Sequence, residues 1–286
     1  MNKKGGQILT FAVTFIVAFS ALCAIVATAF ATGDINSGSQ DQTSEIQSKN
    51  EYLPIYEHQQ NILFIVCDWR GGQADLFCVV KINPIKRKFN FAVIPAQTEA
   101  TVNIRTDTVA GHYDYGGSVM AADAVSNACG IKINRYVRIA RDDLCELIDE
   151  LGGVEYDVEQ ETKTLNKGFQ TLDGRRMTEL IFAQKSCQQQ ADTATKLIKK
   201  LINTSLRTYL ENKSDDFFKR LTQLADTSLN AFDYEYRKEA IKYITEKENP
   251  ADSVRVSGRY DPEEDVFLLS DEALTRLQSV FWQSGE

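Results

Sequence analysis

An uncharged apolar segment near the N-terminus constrains this chain more than any other feature. Residues 8–32 are mainly Ile, Leu, Phe, Val and Ala, and Lys3 and Lys4 precede them. A helix of about 20 apolar residues spans a bilayer core, and the lysines place their own side in the cytoplasm. The pattern predicts a cytoplasmic tail over residues 1–7 and an uncleaved signal anchor over 8–32. A signal peptide cleaved after residues 29–31 is the alternative, although the run exceeds the usual signal core.

Under either interpretation the rest of the chain lies outside the cytoplasm, so we expect a single-pass protein of the cell membrane with an extracytoplasmic C-terminal domain. Residues 33–60 are predicted to be a stalk, since Ser, Gln, Asp and Asn dominate residues 34–49 and solvated linkers have such compositions. From Asn61 onward, apolar strand-like runs alternate with helical patterns. This order predicts one α/β domain over residues 61–286, with a mixed central sheet flanked by helices.

The first three predicted strands form a meander over residues 62–67, 76–82 and 89–94. Asp142 is predicted to cap a helix that stops at the glycine pair after residue 151. Further strands are predicted over 135–139, 154–158, 254–256 and 266–269, and helices over 118–129, 142–151, 174–185, 191–211, 215–225 and 271–282.

The charge balance excludes nucleic acid as a partner. The 286-residue chain has 32 Lys and Arg against 40 Asp and Glu, a formal net charge of −8 at pH 7. Its basic residues are scattered rather than gathered in a stripe. Proteins bind nucleic acid mainly by neutralising phosphates with basic residues, and this chain does not offer such a surface.

The cysteines predict buried thiols rather than a disulfide framework. Cys67, Cys78, Cys129, Cys145 and Cys187 follow the apolar segment, an odd number without a C-x-x-C pair. Such cysteines usually act as small apolar residues, and a contact between the first two across neighbouring strands is the alternative. Only two histidines are present, which argues against a zinc site.

Short motifs follow one another in a fixed order along the predicted domain. Residues 61–70 read NILFIVCDWR, residues 91–98 read FAVIPAQT, and residues 142–158 read DDLCELIDELGGVEYDV. The remaining motifs are the apolar strand from Asp75 to Asn83-Pro84, YDYGG over 113–117, QTLDG over 170–174 and GRYDPEEDVFLL over 258–269. In this order, over about residues 61–283, the chain resembles the LytR–CpsA–Psr (cell envelope-related transcriptional attenuator) family as a divergent member.

The resemblance implies a specific chemistry. Members of the family transfer a glycopolymer from an undecaprenyl-pyrophosphate carrier to peptidoglycan; arginines hold the pyrophosphate, aspartates bind Mg²⁺, and an apolar tunnel takes the prenyl chain. Positive charge around a transferring phosphoryl group stabilises the transition state. The implied partners are therefore the membrane, a polyprenyl phosphate or pyrophosphate lipid, and peptidoglycan or a wall glycopolymer. We also expect an elongated cavity lined by Val, Ile, Leu and Phe.

This chain departs from the family at most of the charged positions. The family's IPRDT reads IPAQT over residues 94–98, and two later arginine positions hold Phe182 and Gln184. A phenylalanine offers no hydrogen bond to a diphosphate and excludes water from its charge. We therefore expect a degenerate catalytic site in a protein that binds a lipid carrier, a wall polymer or a partner protein. An active phosphotransferase with a rearranged site is the alternative.

A few residues remain candidates for a site. The resemblance implies Mg²⁺ at Asp68 and Asp75, which flank a glycine-rich turn and also fit a plain solvated loop. Arg70 and Arg105 are the candidates for phosphate binding, although Arg70 also fits a pair with a carboxylate. Arg70, Lys185 and Gln190 are the candidate remnants of the catalytic machinery. Convergence of these charged residues at one pocket mouth would favour the active enzyme.

Overall fold

A six-stranded mixed sheet forms the centre of the structure. The computed structural model describes residues 52–159, 161 and 164–283. Their strands are β1 (Gln60–Cys67), β2 (Ala74–Asn83), β3 (Lys88–Ile94), β4 (Glu99–Val102), β5 (Arg105–Thr108), β6 (Arg135–Ala140), β7 (Val154–Val158), β8 (Gly168–Leu172), β9 (Asp226–Thr227), β10 (Ala251–Ser253), β11 (Gly258–Asp261) and β12 (Val266–Leu269).

The central sheet has the strand order β10-β3-β2-β1-β6-β9. Strands β1, β2 and β3 form the predicted antiparallel meander, whereas β6 runs parallel to β1 and β10 parallel to β3. The other strands form the hairpins β4–β5, β7–β8 and β11–β12. The prediction of a mixed central sheet flanked by helices is confirmed. Because Cys67 pairs with Ala140 at the carboxyl ends of β1 and β6, the residues that follow these strands lie at the same sheet edge.

Helices cover both faces of the sheet. They are α1 (Val109–Cys129), α2 (Arg141–Glu150), α3 (Gly174–Phe182), α4 (Cys187–Leu201), α5 (Arg207–Leu224), α6 (Ala231–Thr245) and α7 (Asp271–Phe281). A π-helical turn, Ile202–Leu206, joins α4 to α5, and a 3₁₀ turn, Tyr56–His58, precedes β1. Helices α1 and α7 pack on one face, and residues of α2 to α6 pack on the other.

Each face has its own hydrophobic cluster. Leu63 and Ile65 of β1 belong to the cluster with α1 and α7, whereas Ile62 and Val66 belong to the cluster with α2 to α6. A strand buried on both faces needs apolar residues at every position, which explains the unbroken apolar run of β1.

The five described cysteines are free thiols. Cys67 and Cys78 lie in different hydrophobic clusters on opposite faces of the sheet. The two side chains therefore do not face each other, and the alternative of a contact between them is wrong.

Several helix boundaries differ from the sequence prediction, and two of the differences lie close to the candidate residues. Helix α2 begins at Arg141 with Ala140 as its N-cap, so the predicted capping role of Asp142 is wrong; its carboxylate instead lies in the first turn, where the helix dipole favours negative charge. Helix α1 begins nine residues before the predicted start, because the Thr108 hydroxyl accepts a hydrogen bond from the Gly111 amide. The chain departs from helical geometry only at the glycine pair 116–117 within α1.

The predicted anchor over residues 8–32 lies outside the described residues, as does the predicted stalk up to residue 51. In the part of the chain that the structure describes, no helix is long and apolar enough to cross a membrane.

Candidate functional site

The candidate site lies at the edge of the sheet where the parallel strands β1 and β6 end. Asp68 follows β1, Arg141 follows β6, and Asp75 is at the start of the neighbouring strand β2. In α/β sheets, ligands bind in the crevice outside the carboxyl ends of parallel strands. The topology therefore brings two acidic residues and one arginine, from three separate segments, to the position where such folds place their ligands.

Asp75 and Arg141 form the centre of this site. The Arg141 Nη2 atom lies 2.6 Å from the Asp75 Oδ2 atom. The guanidinium also stacks 3.9 Å from the ring centroid of Phe182, and the Gln190 amide donates a hydrogen bond of 3.2 Å to the Asp75 carbonyl oxygen. We call these four residues the Asp75 cluster.

Burial shapes the electrostatics of the cluster and leaves one arginine donor unpaired. Burial raises the pKa of the Asp75 carboxyl; Arg141 opposes this shift, whereas the nearby carboxylates of Asp68 and Asp114 add to it. The Arg141 Nε atom is buried and has no hydrogen-bond partner. A buried donor without a partner costs free energy, so a ligand oxygen at this position would be stabilised.

The two predicted phosphate ligands, Arg70 and Arg105, both form ion pairs. Arg70 makes a two-pronged ion pair with Asp143, with Nε–Oδ2 and Nη2–Oδ1 distances of 2.9 and 2.8 Å. The hydrogen bond from Arg70 lowers the pKa of the Asp143 carboxyl. Arg105 pairs with Asp107 and stacks 4.6 Å from the ring centroid of Tyr115. Both arginines therefore already have acidic partners.

The structure brings together only part of the predicted set. Asp75 and Gln190 meet in the Asp75 cluster, and Asp68 is close enough to affect the pKa of Asp75. Lys185 is exposed in the turn that joins α3 to α4. Arg141, the only arginine in this cluster, was not among the predicted residues.

The two aspartates alone do not form a metal site. Within the described ranges, no group of three or more His, Cys, Asp or Glu side chains is arranged to hold a metal ion. Magnesium is commonly held by one or two carboxylates together with substrate phosphates and waters. A cation at Asp68 and Asp75 would therefore need phosphate oxygens, and it would share the Asp75 carboxylate with Arg141. The magnesium site stays a prediction.

A second polar contact links the opposite face of the sheet to the YDYGG motif. The Tyr113 hydroxyl lies 3.2 Å from the Cys67 Sγ atom and accepts a hydrogen bond of 3.4 Å from Arg138. Arg138 also forms an ion pair of 3.3 Å with Asp226. Tyr113 is buried, so the motif fixes α1 against the end of β1.

An apolar cavity adjoins the Asp75 cluster. Its volume is about 270 Å³, and Val, Ile, Leu and Phe make up 24 of its 32 lining residues, which confirms the predicted composition. Phe182 lines this cavity and also stacks on Arg141. The lining includes β1 residues from Gln60 to Val66, a span of about 20 Å at roughly 3.3 Å per residue. The cavity is therefore elongated along the strand, with the Asp75 cluster at one end.

Ion pairs lie at the opposite end of the cavity. The Asp233 carboxylate accepts hydrogen bonds from Arg135 at 2.7 Å and from the Gln60 amide at 3.4 Å. Arg237 lies one helical turn away, and burial lowers the pKa of its guanidinium. Gln60, Asp233 and Arg237 all line the cavity, so this end is polar where the middle is apolar.

Comparison with known proteins gives one family and a consistent fold. A model of the LytR_cpsA_psr family matches residues 27–279. One similar protein is the polyisoprenyl-teichoic acid–peptidoglycan teichoic acid transferase TagU of Halalkalibacterium halodurans, 34% identical over 109 residues, which are 37% of this chain and 35% of that protein. The protein of the same name from Bacillus subtilis is 23% identical over 218 residues, 71% of each chain. The first match thus spans about a third of that relative's length.

Solved structures show the same fold. A structure described as a putative transcription regulator from Eubacterium siraeum has a TM-score of 0.71 and 17% identity, covering 86% of this chain and 98% of that one. A structure described as TagT bound to LIIa-WTA has a TM-score of 0.65 and 17% identity, covering 82% and 94%. At these identities, the similarity shows the fold alone.

Proposed function

The chain belongs to the LytR–CpsA–Psr family, and from that premise we propose that it is a cell-envelope protein that binds a polyprenyl-phosphate lipid without transferring a glycopolymer. The prenyl chain would occupy the apolar cavity, and the phosphate would lie at the Asp75 cluster. The proposal includes the membrane anchor over residues 8–32, an extracytoplasmic domain, and peptidoglycan or a wall glycopolymer as further partners. The family relatives named TagU are teichoic acid transferases, and polyisoprenyl carriers are part of their name.

One observation carries the proposal: Phe182 belongs to the apolar cavity and to the Asp75 cluster at once. A lipid phosphate needs an apolar site for its chain beside a cationic site for its head group. Arg141 supplies the cation, and its unpartnered Nε atom is a donor for a phosphate oxygen. The cavity and the cluster are continuous through a single side chain.

The absence of transfer follows from the same positions. Phe182 and Gln184 stand where the family has arginines, and the Gln184 amide, just beyond the end of α3, donates to the Leu180 carbonyl of that helix. Ala96 stands at another such position and is buried. Losing one donor to a developing negative charge costs about 3–4 kcal/mol of transition-state stabilisation. Several such losses leave turnover near background even when they are not additive.

A transferase with a rearranged site is the second candidate. The observation that favours it is Arg141 itself, which reaches the Asp75 carboxylate from the end of β6 rather than from α3. An arginine supplied by a different element could replace one of those lost, with Asp68 and Asp75 holding magnesium through the lipid phosphates.

Substitutions of Arg141 and Asp75 distinguish the two candidate functions, because these functions predict opposite effects of replacing Asp75. If the protein only binds, Arg141→Ala removes hydrogen bonds to a charged group, worth about 1.5–3 kcal/mol, and weakens binding of undecaprenyl phosphate by about 10–100-fold. Asp75→Ala then releases Arg141 from its acidic partner and strengthens binding. Affinity is measured by titration of the detergent-solubilised protein with and without Mg²⁺.

The transferase candidate predicts the reverse for Asp75. With Mg²⁺ and an undecaprenyl-pyrophosphate-linked glycan, water would act as the acceptor and cleave the pyrophosphate into a glycan phosphate and undecaprenyl phosphate, and Asp75→Ala would abolish that cleavage. Arg87→Ala is the control, because Arg87 pairs with Glu246 away from the cavity. If the natural protein did not bind undecaprenyl phosphate, that result would contradict both candidate functions.

A further inference from the structure

A second groove lies where α2 and α4 end, away from the Asp75 cluster. Its volume is about 900 Å³, and the turn at Gly152 and Gly153, the π-helical turn and the start of α5 form its walls. Helices α2 and α4 both begin beside the Asp75 cluster and end at the groove. At 1.5 Å per residue they are about 15 and 22 Å long. The groove is therefore a separate site.

The π-helical turn forms the wall between this groove and the apolar cavity. Ile202 and Leu206 line the cavity, whereas the three residues between them line the groove. A π turn holds an extra residue compared with an α-helical turn and often marks a functional site. The Ser205 hydroxyl donates to the Gly153 carbonyl at 2.6 Å, and the Asn203 Oδ1 atom accepts from the Ala251 amide at 2.8 Å. These bonds fix the wall in place.

The lining combines polar side chains with apolar surface, and its charges balance. Eight of the fifteen lining residues carry a hydroxyl or a side-chain amide. The charged residues are two cations, Arg207 and Lys213, and two carboxylates, Glu155 and Glu248. A phosphate-binding groove concentrates cations, and this lining does not. The balance favours an uncharged ligand with many hydrogen-bonding groups.

Three details favour a ring-shaped ligand over a small solute. The Tyr209 ring lines the groove and gives it an aromatic surface. At Gly152, no atom lies within 4 Å of the position that a side chain would occupy, so a ligand ring can approach the backbone. The Arg207 Nε atom is buried without a partner, and a buried donor of this kind is stabilised by a ligand acceptor.

We propose that this groove binds a neutral oligosaccharide. Sugar rings present alternating hydroxyl donors and acceptors, which the hydroxyl and amide side chains of the lining complement, and they have an apolar face for Tyr209. The site is independent of the lipid site at the other end of α2 and α4. A chain bound here would be held about 15–22 Å from the Asp75 cluster.

Two tryptophan substitutions on adjacent residues of α5 test the groove. Asn212 is exposed and lines it, whereas Glu211 is exposed and does not. The full-length protein in a non-glycosidic detergent is titrated with a β-1,4-linked tetramer of N-acetylglucosamine, and binding is followed by calorimetry. Asn212→Trp should fill the groove and weaken binding by about tenfold or more, whereas Glu211→Trp should leave the affinity unchanged.

The measured affinities either support or overturn the assignment of the groove to an oligosaccharide. Circular dichroism and undecaprenyl phosphate binding report separately on the fold and on the lipid site, so loss of the tetramer alone in Asn212→Trp supports the proposal. Equal affinities for the natural protein and Asn212→Trp would overturn it, as would no binding of the tetramer by the natural protein. Competition by inorganic pyrophosphate would show a phosphate site and would overturn the assignment to a neutral sugar.

Discussion

At the residue scale, burial alone sets the chemistry of several side chains in this fold. Cys78 and Cys129 lie in opposite hydrophobic clusters, and burial raises the pKa of both thiols to about 12. Cys145 and Cys187 are only half-buried, and burial raises the pKa of each. Because the thiolate is the reactive form, both its fraction and its accessibility control the rate of modification.

We predict that a thiol reagent at pH 8 modifies Cys145 and Cys187 well before Cys78 and Cys129. Peptide mapping by mass spectrometry after increasing reaction times measures the order. In denaturant, all four should react at similar rates, which is the control for the intrinsic reactivity of each peptide. Early modification of Cys78 in the native protein would show that its face of the sheet opens to solvent.

The Asp75 cluster shows which part of the site could be read from the sequence. Asp75 and Gln190 were predicted from motif positions, and the structure brings them together. Arg141 could have been predicted too, since it lies two residues beyond the strand predicted over 135–139, and ligand-binding residues follow strands in α/β sheets. The pairing of Arg70 with Asp143 could not, because it depends on how a turn and a helix meet in space.

At the element scale, one lysine attaches the last helix to the sheet. Lys81 of β2 is buried and donates to the backbone carbonyls of Val280 and Trp282 at the end of α7. Burial lowers the pKa of its ammonium group from 10.5 to about 8. The Asn61 amide also donates to the Phe281 carbonyl at 2.8 Å. Two polar side chains from the sheet thus satisfy carbonyls that the helix end leaves free.

The lysine gives the free energy of unfolding a dependence on pH. Between about pH 8 and 10.5, the unfolded chain holds the proton of Lys81 and the folded chain does not. Unfolding then takes up a proton, so stability rises with pH across this window and is constant below it. We predict that Lys81→Met removes a rise of about 3 kcal/mol. Denaturant unfolding at both ends of the window measures it, with the exposed Lys219→Met as control. An unchanged slope in Lys81→Met would contradict the lowered pKa.

Elements with a clear periodic pattern were predicted well, and those set by tertiary contacts were not. Strands β7 and β12 match their predicted bounds. Helix α6 was missed because its exposed charges obscure the pattern, although Asn230 and Asp233 form a capping box at its start. The strand predicted over 254–256 corresponds to β10, which lies at Ala251–Ser253. Pairing with β3 defines this strand, and its apolar composition does not.

At the scale of the whole molecule, the apolar cavity makes ligand binding and stability inseparable. A ligand that binds only the folded state stabilises it by about 2.7 kcal/mol at a hundred times its dissociation constant. For a domain of this size, such a gain raises the midpoint of thermal unfolding by about 5–10 °C. Stability therefore reports on cavity occupancy even without catalysis.

We predict this rise with saturating undecaprenyl phosphate, and its loss in Leu144→Trp. Leu144 is half-buried in the cavity lining, so the larger ring should occupy the space of the prenyl chain. Val119→Trp is the control, because Val119 is 59% exposed on α1 and does not line the cavity. Thermal unfolding followed by circular dichroism measures both. An undiminished shift in Leu144→Trp would place the lipid elsewhere.

Because the sheet divides the interior into two hydrophobic clusters, residues on one face can be substituted during evolution with little effect on the other face. Substitutions that are well separated and share no partners have nearly independent effects on stability, and here the two hydrophobic clusters share only the sheet backbone. Under the function proposed above, substitutions on the face of α2 to α6, such as those at Phe182 and Gln184, accumulate while the face of α1 and α7 keeps the fold intact. A lineage can thus lose an ancestral reaction one residue at a time without passing through an unfolded intermediate.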